Sequence, residues 1–448
     1  MDLAKLQPIY NACNPDESLR PDDPRNVDFD ALYQGDEALR GGPWVRRMAR
    51  QIELSGATPV CKLFTGLRGS GKSTELLRLA ARLREPGGPH LLPVLIDAEE
   101  MLDLSAEVDV PDILATLVFG TERELLRAES RDPDDALKDG YLRRFSSWLL
   151  RTDVSLKEAE LGGGDLGHLV LEMKTRETVR QRVRAIIGAH MTTFLREVRQ
   201  ELTLLNDRAK KLGFKGVVII YDSLEKLQGI STTWPDVLQS AERVFANDAP
   251  YLQLPVHVLY TIPPAVALRL RVDVHYLPMI KLHDRGGRRF APGYTAAREM
   301  IRQRVPDLVL NELLGAKQRE VHLERLIEWS GGYPREIVRM LQSFLEIEDN
   351  ITSAREFERV LTRAGDAYRR VVLASGALDW LTRVVSEQAL RLENDADRES
   401  ADRMLAASVV LRYLNDTEWF ELHPAVYEIP QLKSRRAEAL EEKRQREP

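Results

Sequence analysis

The stretch that decides the fold is GLRGSGKS, residues 66–73. A β-branched and apolar run, residues 58–65, precedes it, and an amphipathic helical pattern, residues 74–85, follows it. The order predicts a glycine-rich turn between a buried strand and a helix. Glycines let the backbone bend so that successive N–H groups point inward, and the start of the helix adds unpaired N–H groups and the positive end of its dipole. Such a turn is suited to binding an anion.

The spacing of this turn matches G-x-x-x-x-G-K-[ST], the pattern of a phosphate-binding P-loop. The alternative interpretation is a glycine-rich turn with a chance Lys-Ser pair, which the flanking strand and helix disfavour. In the P-loop interpretation, Lys72 reaches the β- and γ-phosphates of a nucleotide and the Ser73 hydroxyl ligates Mg²⁺. The predicted nucleotide-binding residues are Gly66, Leu67, Arg68, Gly69, Ser70, Gly71, Lys72, Ser73 and Thr74.

A second group of candidates follows two later apolar runs. Asp222 ends the run 217–222, where a carboxylate is placed to hold Mg²⁺ or, alternatively, to cap the next turn. Glu225 is a candidate for polarising an attacking water, and the alternative is a carboxylate at a helix start stabilised by the dipole. Thr261 ends the predicted strand 255–262, where it either lies between the γ-phosphate and Asp222 or is an ordinary β-branched strand residue.

A third candidate is Arg335 in the sequence GGYPR, residues 331–335. The glycine pair ends one helix and the proline sets the first turn of the next. An arginine at a helix start opposes the dipole, so it is better placed there if it faces a phosphate. The alternative interpretation is an arginine on the surface.

The remaining pattern predicts an α/β fold with several domains. Continuous apolar runs are typical of parallel strands buried on both faces, and they occur at 58–65, 90–100, 215–222, 255–262 and 275–282. The predicted domains are a lead-in at 1–30, a core at 31–292 with a helical insert at about 105–212, a helical lid at 293–348, a winged-helix-like domain at 349–432, and a charged tail at 433–448. Within the fourth of these, a helix is expected through 399–414 and a hairpin at 415–429.

Composition excludes several classes of protein. Of 448 residues, 43% are hydrophobic and 30% charged, which excludes a disordered chain. No apolar run approaches the roughly 18 residues that a membrane span needs, and the N-terminus lacks the apolar stretch of a secretory signal. Cys13 and Cys61 are too few for a disulfide scaffold or a zinc cluster, so a reducing cytoplasm is expected. The net charge of -6 argues against a basic nucleic-acid binder as a whole.

Together, the P-loop, the VVIIYDSLE segment, Thr261 and GGYPR resemble the AAA+ and STAND-type ATPases, nearest to the initiator-like and prokaryotic STAND branches. The resemblance implies a parallel sheet of order 5-1-4-3-2, with ATP and Mg²⁺ between the sheet domain and the lid. It also implies that Thr261 is sensor 1 and that Arg335 is sensor 2. One departure is Ser223, which stands where the common Asp-Glu pair has its glutamate. Either Glu225 substitutes for that glutamate or hydrolysis is slow.

The resemblance further implies an ATP-driven switch that forms homo-oligomers and controls a partner or effector on another chain. Some bacterial members of the family act in phage defence. Alternatives are a DNA-binding or DNA-remodelling ATPase, and a nucleotide-binding scaffold with little turnover; a small-molecule kinase is disfavoured. The best candidates for an arginine finger that acts on a neighbouring subunit are Arg285, Arg288 and Arg289, and the alternative for this segment is a solvated basic loop. By family position, Tyr33, Gln34, Gly35 and Asp36 lie by the adenine.

Overall fold

The structure, a computed structural model, describes residues 3–133, 172–227, 233–347 and 354–446. The chain forms two compact units. The first, here called the sheet unit, comprises Arg47–Thr65 and Arg78–Tyr276. The second, here called the P-loop unit, comprises Met1–Arg46, Gly66–Leu77 and Leu277–Pro448. Among the described helices, none combines the length and the apolar character needed to cross a membrane.

The sheet unit is built on five parallel strands: β1 Cys61–Thr65, β2 Leu92–Asp97, β3 Val217–Asp222, β4 His257–Thr261 and β5 Val274–Tyr276. Their order in the sheet is β2-β3-β4-β1-β5, which confirms the predicted α/β fold with order 5-1-4-3-2. Every residue of β4 is buried, as expected for a central strand covered on both faces. Because the strands are parallel, the carboxyl ends of β1, β3 and β4 lie at the same edge of the sheet.

Along the chain, helices precede these strands and connect them. Those of the insert between β2 and β3 are Ala98–Met101, Val110–Ala128, Glu177–Ala189 and Met191–Lys211. The described part of the predicted insert is therefore helical, and its last two helices meet at His190. Residues 134–171 of the insert lie outside the described part of the chain. Other helices are Trp44–Ser55, Lys72–Arg84, Trp234–Ala246 and Pro264–Ala267.

The insert is joined to the core of the sheet unit by a buried hydrogen bond. The hydroxyl of Thr116, in the helix Val110–Ala128, lies 2.6 Å from the hydroxyl of Tyr221 in β3. That helix packs closely on β2, because a side chain at Gly120 would come within 2.7 Å of Ile96. The helix Val110–Ala128 is thus fixed against the strand whose last residue is Asp222.

The P-loop unit is mainly helical. Its helices are Leu3–Ala12, Phe29–Leu32, Ala291–Arg302, Asp307–Leu314, Arg319–Ser330, Pro334–Leu345, Ala354–Ser375, Leu378–Glu387, Asp395–Ala406 and Pro430–Arg446. The strands β6 Val410–Leu414 and β7 Glu418–Leu422 form an antiparallel hairpin. One apolar core joins the lead-in to the helices that follow residue 290, with Phe29, Ile280 and Trp329 among its members.

The predicted fifth strand, residues 275–282, was wrong in its extent, since β5 ends at Tyr276. The apolar run after it is buried in another way. Backbone N–H groups there donate to carbonyls elsewhere in the P-loop unit: Met279 to Arg412, Ile280 to Gly332, and Lys281 to Leu39. Apolar sequence alone does not distinguish this irregular buried segment from a strand of the sheet.

The boundary of the C-terminal hairpin also differs from the prediction. The helix expected through 399–414 ends at Ala406, and β6 begins at Val410. Ser408 has a φ of 53°, a left-handed conformation that ends a helix, and the β-branched pair after it favours a strand. The predicted hairpin at 415–429 is therefore shifted toward the N-terminus, and the charged tail forms the helix Pro430–Arg446.

Candidate functional site

The P-loop takes the conformation that its glycines allow. Gly69 has a φ of +80° and Gly71 a φ of +95°, both in the region that favours glycine. The helix begins at Lys72, and the Glu75 N–H donates to the Gly71 carbonyl at 3.0 Å. The first amides of this helix have no carbonyl one turn earlier to bind, so they are available to a ligand. A Cβ on Gly71 would lie 3.8 Å from Arg40 Nη2, at ordinary van der Waals distance, so the positive φ and not a clash is what favours glycine there.

Two buried polar groups in this loop favour an anionic ligand. Lys72 is 4% exposed, and its ammonium donates to the Leu67 carbonyl at 3.1 Å. Ser70 is fully buried, and its hydroxyl has no hydrogen-bond partner among the described residues. Burying a hydroxyl without an acceptor is unfavourable. A phosphate oxygen is a suitable acceptor for the Ser70 hydroxyl, and the Lys72 ammonium beside it carries the charge that suits an anion, so the residues present fit the phosphates of a nucleotide.

Three consecutive carbonyls of the loop accept hydrogen bonds from outside it. The Tyr333 hydroxyl donates to the Arg68 carbonyl, and the Arg335 N–H donates to the Gly69 carbonyl at 3.3 Å. The Arg40 guanidinium donates through Nη2 to the Ser70 carbonyl at 2.8 Å. Sequence reasoning missed Arg40, one arginine among many in a segment without a motif. Tyr333 was visible inside GGYPR, but the pattern had drawn attention only to the glycines, the proline and the arginine.

Arg335, the predicted sensor 2, lies against the P-loop. Its side chain runs so close to Gly69 that a Cβ on that glycine would lie 2.5 Å from the Arg335 Cβ. Its guanidinium is paired with the carboxylate of Asp16 in the lead-in. The structure thus brings Arg335 to the predicted phosphate loop, while its role toward a γ-phosphate stays a prediction.

The other N-terminal candidates are placed less closely. The Thr74 hydroxyl accepts a hydrogen bond from the Leu19 N–H at 3.2 Å, so it fixes the lead-in to the P-loop helix. Gln34, Gly35 and Asp36 are exposed and Tyr33 is partly buried, in and beside the short turn Gly35–Glu37. Their predicted place by an adenine stays a prediction.

Asp222, the predicted metal ligand, ends β3 in the sheet unit. Its Oδ1 accepts a hydrogen bond from the Ser223 N–H at 2.7 Å. Ser223 has a φ of 68°, a left-handed conformation that is uncommon for a residue other than glycine. Glu225 lies in the turn Leu224–Lys226 with its side chain largely buried. Glu225 does lie at the start of a helical turn, as the alternative interpretation has it, but its side chain is buried and not exposed, and its catalytic role stays a prediction.

Thr261, the predicted sensor 1, is fully buried at the end of β4. Its hydroxyl accepts a hydrogen bond from the Leu224 N–H at 3.0 Å and donates to the Tyr221 carbonyl at 3.3 Å. Both partners flank Asp222 in the chain. The structure therefore brings Thr261 together with the segment that carries Asp222. The Thr261 hydroxyl holds that segment at the carboxyl edge of the sheet.

The predicted arginine-finger segment is a turn closed by an antiparallel bridge between His283 and Arg289. Arg289 is paired with Glu324, and its guanidinium carbon lies 3.8 Å from the centre of the Tyr294 ring. Arg288 pairs with Asp284 and is well exposed. Arg285 donates to the Glu387 carbonyl at 3.4 Å. The contacts of Arg289 are those of a structural arginine, and a finger role for any of the three stays a prediction.

Comparison with known proteins adds little to this description. No family model and no curated protein matches the chain. Among solved structures, the chain is similar to the Walker-type ATPase of Pyrococcus abyssi, with 14% identity over 91% of this chain and 100% of that one and a TM-score of 0.38. It is also similar to Drosophila ORC bound to DNA (9% identity, 97% and 93% covered, TM-score 0.37) and to Aeropyrum pernix ORC2 with ADPNP and ADP (13%, 93% and 98%, TM-score 0.31).

At these levels of similarity, the fold assignment depends on the chain itself. The sheet order, together with a P-loop directly after β1, gives an α/β fold of the P-loop type, which confirms the predicted fold class.

Proposed function

We propose that this chain binds ATP with Mg²⁺ at the P-loop and hydrolyses it. The observation that carries the proposal is the pair of buried groups in the loop, the Lys72 ammonium and the Ser70 hydroxyl, at the start of a helix of 13 residues. A triphosphate would supply acceptors to both groups and negative charge to the positive end of the helix dipole.

The residues divide into binding and reacting groups in this proposal. Lys72 and the amides of the P-loop bind the phosphates, and Ser73 and Asp222 hold Mg²⁺, which supplies neutralising charge when it is bound. Glu225 orients the attacking water. Arg335 exchanges the Asp16 carboxylate for phosphate oxygens, since both offer an arginine a planar or branched set of oxygens.

Release of inorganic phosphate from ATP tests this proposal. We expect turnover in the wild type, little or none in Lys72→Ala, and a strong reduction in Glu225→Gln with nucleotide binding retained. Lys317→Ala is the matched control, because Lys317 is exposed and its loss should leave turnover unchanged. Equal turnover in the wild type and in Lys72→Ala would overturn the proposal. Tight ATP binding without turnover in the wild type would favour the scaffold interpretation.

We further propose that the bound nucleotide controls assembly, as the resemblance to STAND-type switches implies. The test is solution mass by light scattering, with ADP and with a slowly hydrolysed ATP analogue. We expect a larger mass with the analogue than with ADP, and no such difference in Lys72→Ala. A wild-type mass that is the same with both nucleotides would contradict self-assembly driven by nucleotide alone.

We propose that the partner is an effector on a separate chain, and phage defence is one setting in which such an effector would act. Capture of that effector with the ATP analogue, and its loss in Lys72→Ala, is the expected result. DNA is the other candidate partner. It predicts an affinity that falls steeply as salt rises, and an affinity that does not change with salt would exclude binding through phosphates.

A further inference from the structure

Fixing the carbonyls of a P-loop also fixes its amides. The peptide group is planar and almost always trans, so the C=O of one residue and the N–H of the next point in opposite directions. The hydrogen bond from Tyr333 to the Arg68 carbonyl therefore sets the direction of the Gly69 N–H. In the same way, the bond from Arg40 to the Ser70 carbonyl sets the direction of the Gly71 N–H. These are the two glycines of the loop with positive φ.

Glycine makes this restraint consequential. A glycine-rich loop has many accessible conformations, and ordering it costs more free energy than ordering other sequences. A loop that is already ordered when the ligand arrives does not lose that free energy on binding. Groups that hold the carbonyls outward should therefore raise the affinity for phosphate without touching it.

Arg40 is itself held firmly. Its side chain is buried, and Nη1 lies 3.3 Å from the Glu75 carboxylate, whose side chain is also buried. The guanidinium carbon lies 5.2 Å from the centre of the Phe29 ring, a cation–π distance. One planar guanidinium thus connects the lead-in, the Ser70 carbonyl and the first turn of the P-loop helix. Such a fork loses little freedom when it binds a carbonyl.

Tyr333 is also held firmly. It is buried, and burial raises the pKa of its hydroxyl to about 12, so the group stays a donor at neutral pH. The residue before it, Gly332, has a φ of +73°, and a Cβ there would lie 1.9 Å from the Ile280 carbonyl oxygen. The turn that carries Tyr333 is therefore packed against a backbone that leaves it no room to shift.

We infer that Arg40 and Tyr333 are positioning residues, which hold the P-loop in its phosphate-binding conformation before the nucleotide arrives. The inference rests on the proposed nucleotide site. It assigns neither residue a contact with ATP. It predicts instead that their loss weakens nucleotide binding and loosens the empty loop, while the rest of the P-loop unit keeps its fold.

The test compares variants with the wild type in two main measurements, with thermal unfolding as a check on the fold. The test variants are Tyr333→Phe and Arg40→Met, and their matched controls are Tyr294→Phe and Arg369→Met. Arg40→Lys is the conservative variant, and Lys72→Ala is the reference without binding. Tyr294 loses a hydroxyl bonded to Glu328, and Arg369 loses a bond to the Thr362 carbonyl, both away from the loop. The first measurement is the affinity for a fluorescent mant derivative of ADP. The second is amide hydrogen exchange of the peptide over residues 66–73 without nucleotide.

We expect Tyr333→Phe to weaken binding about fivefold, the worth of one neutral hydrogen bond, and Arg40→Met about tenfold or more, because its bond is charge-assisted. Arg40→Lys should recover part of the loss, since an ammonium can reach one of the two partners. Exchange over 66–73 should be faster in both variants and unchanged in the controls. Thermal unfolding without nucleotide should move no further in the test variants than in the controls.

Three outcomes would overturn the inference while the proposed function stands. Wild-type affinity in both test variants, with binding abolished in Lys72→Ala, would leave the nucleotide site standing and remove the positioning role. Equal losses of affinity in the controls would show a general loss of fold. Partial unfolding of Arg40→Met, with normal binding by Tyr333→Phe, would likewise show that Arg40 supports the fold and does not position the loop. If the wild type binds no nucleotide, the proposed function fails, and unchanged exchange over 66–73 would then overturn the restraint as well.

Discussion

Removing the Thr261 hydroxyl should loosen the segment that carries Asp222. In Thr261→Val the shape of the side chain is kept, but the Leu224 N–H loses its acceptor at 3.0 Å and the Tyr221 carbonyl loses a donor at 3.3 Å. Leu224 and Thr261 are both fully buried, so water does not replace the lost partner without a local opening. A buried donor left without an acceptor costs about 2 kcal/mol, which corresponds to a factor of about 30 in an opening equilibrium.

The matched control for this prediction is Thr261→Ser, which keeps the hydroxyl and removes one methyl group. It should cost about 1 kcal/mol through lost packing and leave the hydrogen bonds in place. Hydrogen exchange measured over residues 221–227 distinguishes the two variants: the Leu224 amide should exchange about 30-fold faster in Thr261→Val and near the wild-type rate in Thr261→Ser. Equal protection of that amide in both variants would show that the Thr261 hydroxyl does not hold the Leu224 N–H.

Three further predictions concern backbone conformation and pH. Gly332→Ala should lower the free energy of unfolding by well over about 2 kcal/mol, because its Cβ would clash with the Ile280 carbonyl oxygen in addition to the strain of a positive φ. At Gly35, φ is +59° and no atom lies within 4 Å, so Gly35→Ala should show only the strain of about 1–2 kcal/mol. Urea unfolding compares the two variants, and equal losses would contradict the clash at Gly332. Ser223→Val should cost about 2 kcal/mol and Ser223→Asn less than about 0.5, because asparagine tolerates the left-handed region and valine does not; the same assay checks this, and similar costs would refute it. Burial, and to a smaller extent the Arg339 cation, lowers the pKa of His423 to about 3. The stability that neutral His423 contributes is therefore fully present above its unfolded pKa of about 6.5. It declines by about 1.4 kcal/mol for each pH unit below that value. His423→Asn should keep the cap on the Ala425 N–H and show a shallower decline in unfolding experiments between pH 7.5 and 5, and a decline as steep as that of the wild type would contradict it.

The sheet could be predicted because β2, β3 and β4 lie in long apolar runs. β1 contains Lys62, but the P-loop pattern directly after it identifies it. The run after Tyr276 misled the prediction because burial, and not pairing, is what apolar sequence reports. At the other end of the chain, the helix prediction continued past Ser408, since its positive φ is a property of the fold and not of serine.

The site was predictable only where a residue type is chemically necessary. Gly69, Gly71 and Lys72 could be found because no other residue types allow that loop or supply that charge. Arg40 and Tyr333 act on backbone carbonyls, and a carbonyl puts no constraint on the sequence of the loop that carries it. Residues that act through the backbone can be identified only in the folded structure. The same holds for the two hydrogen bonds of the Thr261 hydroxyl.

Titration calorimetry of the wild type with ATP and Mg²⁺, beside Lys72→Ala and the control Lys317→Ala, tests nucleotide binding at the P-loop most directly. We expect one site per chain in the wild type and in the control, and a loss of measurable binding when the buried Lys72 ammonium is removed. Binding of ATP by Lys72→Ala with wild-type affinity, or no binding by the wild type, would contradict the claim that this P-loop is a nucleotide site.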